Sequence, residues 1–228
     1  MSTRPNEAYN KLPPSIKARL EKGEPMEYIT GKAYFYREEY EVTPDVLIPR
    51  PDTEVLVEKL VNLLPNHAHF IDLCCGSGCI AISALCERED CTAIGYDLSA
   101  PAVALAQRNA QRNGVADRYR AQVADVRALS LPACSVIVSN PPYIRTGVLS
   151  TLPRSVIDYE PRLALDGGSD GMDFYRVILE RFTPGEFFLF EIGYDQGRQI
   201  EQLAESFGYR CELFLDYGKR ERVALIRR

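Results

Sequence analysis

The sequence predicts an α/β fold. A mostly parallel sheet of seven strands carries helices on its faces, ends in an antiparallel hairpin, and is preceded by a small helix and β-hairpin. Three observations carry this expectation. Apolar runs of strand length alternate with helical patterns from residue 69 onward, which is the signature of βαβ units. Runs such as Phe187-Phe188-Leu189-Phe190 are continuously apolar, as strands buried on both faces require. The last two runs are joined only by a short turn at 216–221, too short for a parallel crossover, so they pair antiparallel.

In chain order, residues 13–22 read as a short helix, and 28–42, with Tyr34, Phe35, Tyr36 and Tyr40 around Gly31, as a small β-hairpin. That hairpin is either a packing appendage or a lid over a ligand crevice. Residues 69–75 form the first core strand and end in a glycine-rich turn, and 79–87 form the helix after it. Strand 92–98 and helix 101–113 follow, the helix closed by Gly114. Further strands fall near 120–124, 135–139 and 186–192, with helices at 172–182 and 196–207, the second ended by Gly208. The closing strands are 210–215 and 222–226. Residues 1–48 are then an N-terminal extension and 49–228 one main domain.

At 228 residues, 46% hydrophobic and 26% charged, the chain has the composition of an ordinary globular protein. A net charge of -5 disfavours direct binding to a phosphate backbone. No segment reaches the roughly 18 apolar residues of a membrane span, and the N-terminus lacks the apolar region of a signal peptide, so a cytoplasmic protein is expected. Seven cysteines, scattered through strand and helix patterns, suit free thiols in a reducing compartment. There is no Cys-x-x-Cys pair, and the two histidines, His67 and His69, precede the first core strand, so no metal site is expected.

Three strand ends carry residues suited to a nucleotide-like cofactor. Asp72-Leu73-Cys74-Cys75-Gly76-Ser77-Gly78 follows the first strand and opens a helix, where glycines let the backbone approach a ligand. About twenty residues on, Asp97 ends the second strand where a carboxylate can accept both ribose hydroxyls; the competing role of helix cap is already filled by Ser99. Asp125 and Val126 end the third strand, where they can receive an adenine amino group and pack on its ring.

A fourth strand end carries the chemistry. Asn140-Pro141-Pro142-Tyr143 follows the buried run 136–139 directly. Two prolines remove two backbone donors and enforce extended geometry, leaving carbonyls as acceptors. The Asn140 side-chain oxygen and the Pro141 carbonyl can hold both N–H groups of a planar amide or aromatic amine, with Tyr143 stacked on the planar group. With a strong methyl electrophile, positioning supplies much of the rate and no general base is needed.

The reversed final strand pair is the arrangement of class I, Rossmann-like methyltransferases rather than of dinucleotide dehydrogenases. From about Pro25 the chain resembles the protein-(glutamine-N5) methyltransferase family that modifies peptide chain release factors, the HemK or PrmC type. The resemblance rests on Pro25-Met26-Glu27-Tyr28-Ile29-Thr30-Gly31, Leu47-Ile48-Pro49-Arg50-Pro51-Asp52-Thr53-Glu54, Ser139 through Tyr143-Ile144, Asp216-Tyr217-Gly218, and Glu221-Arg222-Val223. It implies S-adenosyl-L-methionine as cofactor, contacted by Cys74, Cys75, Gly76, Ser77, Gly78, Asp97, Val126 and Asn140. It also implies a glutamine amide, in the Gly-Gly-Gln loop of a release factor, held by Asn140, Pro141, Pro142 and Tyr143. Cys74 and Cys75 stand where the family usually has glycine and threonine, and Val126 where an aromatic is frequent. The family usually opens with a helical domain of several dozen residues, so this sequence resembles a form with a shortened N-terminal part. Two other readings compete: methylation of an exocyclic base amine, adenine N6 or guanine N2, in DNA or ribosomal RNA, and a non-catalytic cofactor-binding partner protein.

Overall fold

A computed structural model describes residue 10 and residues 12–228. Its centre is a seven-stranded sheet of β3 (His69–Leu73), β4 (Thr92–Asp97), β5 (Tyr119–Val123), β6 (Val136–Ser139), β7 (Phe187–Glu191), β8 (Arg210–Leu215) and β9 (Glu221–Arg227). The strand order is β5-β4-β3-β6-β7-β9-β8. β3 through β7 run parallel, whereas β9 pairs antiparallel with both β7 and β8. The mixed sheet therefore has the expected form.

Helices cover both faces. Leu56 and Leu60 of α3 (Glu54–Leu63), Ala81 and Leu85 of α4 (Cys79–Glu87), and Ala106 and Ala110 of α5 (Ala100–Arg112) pack against Phe70, Val138 and Leu189. On the other face, Ile71, Phe188 and Phe190 meet Tyr175 and Ile178 of α7 (Asp173–Arg181) and Ile200 and Ala204 of α8 (Gly197–Ser206). α6 (Arg154–Ile157) is a single turn in the long connection after β6. Successive β7 side chains thus feed two different cores, which is why that strand is apolar throughout. Each buried Phe or Leu adds roughly 1.5–3 kcal/mol of hydrophobic stabilisation.

The N-terminal part consists of α1 (Pro14–Glu21), α2 (Met26–Thr30) and the hairpin β1 (Lys32–Phe35) and β2 (Glu38–Glu41). Gly31 does not lie in the hairpin turn. With φ of 72° it ends α2, and the turn itself falls at Tyr36, whose φ is 58°. A left-handed residue after a helix is most often glycine because a Cβ costs energy there. The hairpin packs on α4 and α5, not over the crevice. Tyr40 shares a 2.6 Å hydrogen bond with Ser83, and Asn109 accepts from the Glu41 N–H at 2.8 Å while donating to the Ser77 carbonyl at 2.9 Å. Among the described residues, no helix is long and apolar enough to cross a membrane.

Candidate active site

Because β3 to β7 are parallel, their carboxyl ends share one edge, and a cavity of about 1000 Å³ opens there. The structure brings most of the expected residues to it. Cys74, Cys75, Gly76 and Ser77 after β3, Asp97 ending β4, Val126 after β5, and Asn140 and Pro142 after β6 all line the wall. Gly78, Pro141 and Tyr143 do not. Gly78 is the N-cap of α4, with φ of 80°, and a Cβ there would lie 2.8 Å from Ile82.

The glycine turn is tied to the next strand by Asp97. Its Oδ2 accepts the Gly76 N–H and its Oδ1 the Ser99 N–H, each at 2.9 Å. Ser99 Oγ in turn accepts from Ala102 N at 3.3 Å and caps α5. Burial raises the Asp97 carboxyl above its ordinary range, and the N–H groups of Ser99, Gly76 and Leu98 oppose this. Each carboxylate oxygen keeps a lone pair free for a ligand hydroxyl. Cys74 holds the turn at φ of 60°, a left-handed conformation usual for glycine. At the next strand end, Asp125 is forked by Arg127, with both Arg127 Nε to Oδ1 and Nη2 to Oδ2 at 2.9 Å, which holds its carboxyl below the usual range. Beside the turn, Asp72 is fully buried with neither oxygen in a hydrogen bond of ordinary geometry, and burial pushes its pKa up to about 8, the Ala81 N–H opposing the rise and the Asp97 charge adding to it.

The Asn140-Pro141-Pro142-Tyr143 loop is braced from behind. Gln196 Nε2 donates to the Tyr143 carbonyl at 3.0 Å and to the Gly171 carbonyl at 3.1 Å, while its Oε1 accepts the Gly193 N–H at 2.8 Å. Ile144 N and O bond Leu165 O and Gly167 N at 2.9 and 2.8 Å. Tyr143 lies outside the lining and donates its hydroxyl to Glu191 Oε1 at 3.1 Å. Burial and the Glu191 charge raise that phenol above its ordinary range.

Sequence reasoning gave no site role to much of the remaining wall. An arm at 44–50 contributes all but Ile48 to the lining, and residues 161–164 of the connection after β6 line it too. Arg50 forms an ion pair with the buried Glu160 carboxylate, which also accepts the Ile48 N–H at 3.4 Å, so arm and connection are clasped. Phe174 and Val177, three apart on α7, supply an apolar wall. Their spacing is the signal that could have found them. The irregular 144–171 connection has no periodicity to read.

Fold and wall together define a class I methyltransferase. A deep crevice at the strand ends, an Asp97 carboxylate with lone pairs to spare, and a Gly76 whose missing Cβ would meet nothing within 4 Å fit S-adenosylmethionine, the cofactor that this class implies. The methyltransferase small domain family matches residues 51–158. Release factor glutamine methyltransferase of Geobacter sulfurreducens is 41% identical over 204 residues, 87% of this chain and 71% of that protein. Those of Cereibacter sphaeroides and Salmonella typhimurium are 38% and 39% identical, over 95% and 90% of this chain and 81% and 76% of theirs. The chain belongs to the release factor glutamine methyltransferase family. The fold alone is shared with the hMettl16 catalytic domain solved with a MAT2A 3'UTR hairpin, at a TM-score of 0.66 and 14% identity, covering 100% of this chain and 97% of that one.

Proposed function

We propose that this protein transfers a methyl group from S-adenosylmethionine to the side-chain nitrogen of a glutamine, in the Gly-Gly-Gln loop of a peptide chain release factor. The observation that carries it is an identity of 38–41% with release factor glutamine methyltransferases across most of the chain. In this reading the cofactor is held by the turn of Cys74, Cys75, Gly76, Ser77 and Gly78, by Asp97, and by Val126 and Asn140. When bound it supplies an electrophilic methyl on a positively charged sulfur.

An amide nitrogen is a poor nucleophile because its lone pair is delocalised. Asn140 Oδ1 and the Pro141 carbonyl accept its two N–H groups, so that the remaining lobe faces the cavity and motion is frozen out. Pro142 lends rigidity, and Tyr143 anchors the loop through Glu191 rather than touching the target. The partner is a translation factor, which assigns the work to the cytoplasm. A net charge of -5 disfavours naked nucleic acid as the acceptor.

Methyl-labelled cofactor offered with a release factor, ribosomal RNA and DNA tests this. Label and one added methyl on the Gly-Gly-Gln glutamine, read by mass spectrometry, is the expected result. Label confined to nucleic acid overturns it.

A further inference from the structure

The acceptor amide of Asn140 is oriented from behind the cavity. Its Nδ2 donates to Thr53 Oγ1 at 3.4 Å. Thr53 ends the short 3-10 turn Pro51–Thr53, is 2% exposed, and borders the cavity with Asn140. Its hydroxyl is a favourable neighbour of the Glu191 carboxylate, which ends β7 and is also 2% exposed. Glu191 Oε1 takes the Tyr143 hydroxyl, whereas Oε2 is buried without a hydrogen-bond partner of ordinary length.

The chemistry of these groups fixes a direction. A carboxylate only accepts, so a hydroxyl beside it turns its single proton toward it. Thr53 then shows lone pairs to Asn140, and only the NH₂ edge of the amide can face them. Oδ1 is left pointing the other way. A reversed amide would set two oxygens against each other and offer an NH₂ where the target brings its own N–H groups. Burial, with the Asp52 charge adding to it, raises the Glu191 carboxyl above its ordinary range, and the Thr53 hydroxyl, the buried Arg222 and the Tyr143 hydroxyl oppose this in favour of the ionised form. Arg222 also bonds Asp216 Oδ2 at 3.3 Å and the Ile192 carbonyl at 3.2 Å.

We propose that Glu191 is a positioning residue for methyl transfer: through Thr53 it sets which edge of the Asn140 amide faces the target nitrogen, and through Tyr143 it anchors the other end of the same loop. Glu191 is not part of the cavity wall, so it acts only through its neighbours. The inference rests on the reading that Asn140 Oδ1 accepts a target N–H, and it holds for a glutamine amide and a base amine alike.

The test compares Thr53→Val, Thr53→Ser and Glu191→Gln with the parent, using labelled S-adenosylmethionine and a release factor. Thr53→Val keeps shape and removes the hydroxyl, and Glu191→Gln puts a donor where only an acceptor serves. In both, kcat is expected to fall by about tenfold or more while the Kd for cofactor, read by calorimetry, stays within about twofold, the pattern of a lost transition-state contact. Thr53→Ser should recover most of what Thr53→Val loses. If Glu191→Gln fails to fold, the valine and serine pair decides. Unchanged kcat in Thr53→Val, or equal loss in the serine and valine variants, overturns the proposal. Asn140→Ala separates the two levels. Full turnover in that variant sinks the underlying reading, whereas its loss beside a fully active Thr53→Val sinks only the positioning role.

Discussion

Asp97 Oδ2 accepts the Gly76 N–H at 2.9 Å, so the carboxylate at the end of β4 holds the turn at the end of β3. One side chain therefore shapes the cofactor wall and also faces the cavity. Asp97→Ala is expected to weaken S-adenosylmethionine binding by about 10- to 100-fold, the range of one or two hydrogen bonds to a charged group. Calorimetric titration checks it, and Asp97→Asn should fall between the two.

Asn140→Ala should lower kcat by roughly 100-fold or more, well beyond its loss of cofactor affinity, the scale seen when one preorganised hydrogen-bonding group is lost at a reacting centre. Single-turnover kinetics with saturating cofactor separate the two quantities.

Gly171 sits at φ of 77°, and a Cβ there would lie 2.3 Å from the Tyr143 carbonyl oxygen and 2.7 Å from Gln196 Nε2. Gly171→Ala must push the loop away from its brace. A loss of about 1–3 kcal/mol of stability is expected from strain and the displaced hydrogen bonds, with a fall in kcat alongside. Urea unfolding and turnover measure the two effects.

The Arg50 and Glu160 pair clasps the 44–50 arm to the connection that carries 161–164. Glu160→Ala leaves Ile48 N without that acceptor and Arg50 without its partner. Hydrogen exchange should quicken in residues 44–50 and 158–164 and stay unchanged in β3, β6 and β7. Cofactor should restore less protection to the variant than to the parent.

Asp72 gives a pH dependence. Its folded pKa, raised to about 8, exceeds the unfolded value, so between about pH 4 and 8 the folded state binds more protons than the unfolded one. Stability contributed by this group is whole below pH 4 and declines as pH rises to about 8, by up to about 1.4 kcal/mol per unit. Asp72→Asn removes the decline. The Tm advantage of the variant should grow from pH 5 to pH 8, and a constant difference would contradict the assignment.

The repeating elements were legible because burial imposes period on sequence. The 79–87 helix and the 210–215 strand fall where their patterns place them, and the other core elements differ by one or two residues at their ends. The strand ends after β3, β4, β5 and β6 could be read because glycine, aspartate and paired prolines are distinctive there. The hairpin within 28–42 was legible from its aromatics, whereas Gly31 itself ends a helix, a place that glycine serves as readily as a hairpin. The roles of Thr53, Glu160, Gln196 and Glu191 depend on partners 48 to 138 positions away or on a wall built by an aperiodic connection, and no local pattern records such partners. Tyr143 was legible as part of its motif but not in its direction, which Glu191 decides.

The Cys74, Cys75 and Cys79 thiols border the cavity, and burial pushes all three above the ordinary thiol range, Cys79 to about 12. Thiolate, not thiol, is the nucleophile. An alkylating sulfonium admitted to this wall is thus surrounded by sulfur that does not compete for its methyl group, and the turn is guarded against alkylation of itself by the same burial that shapes it.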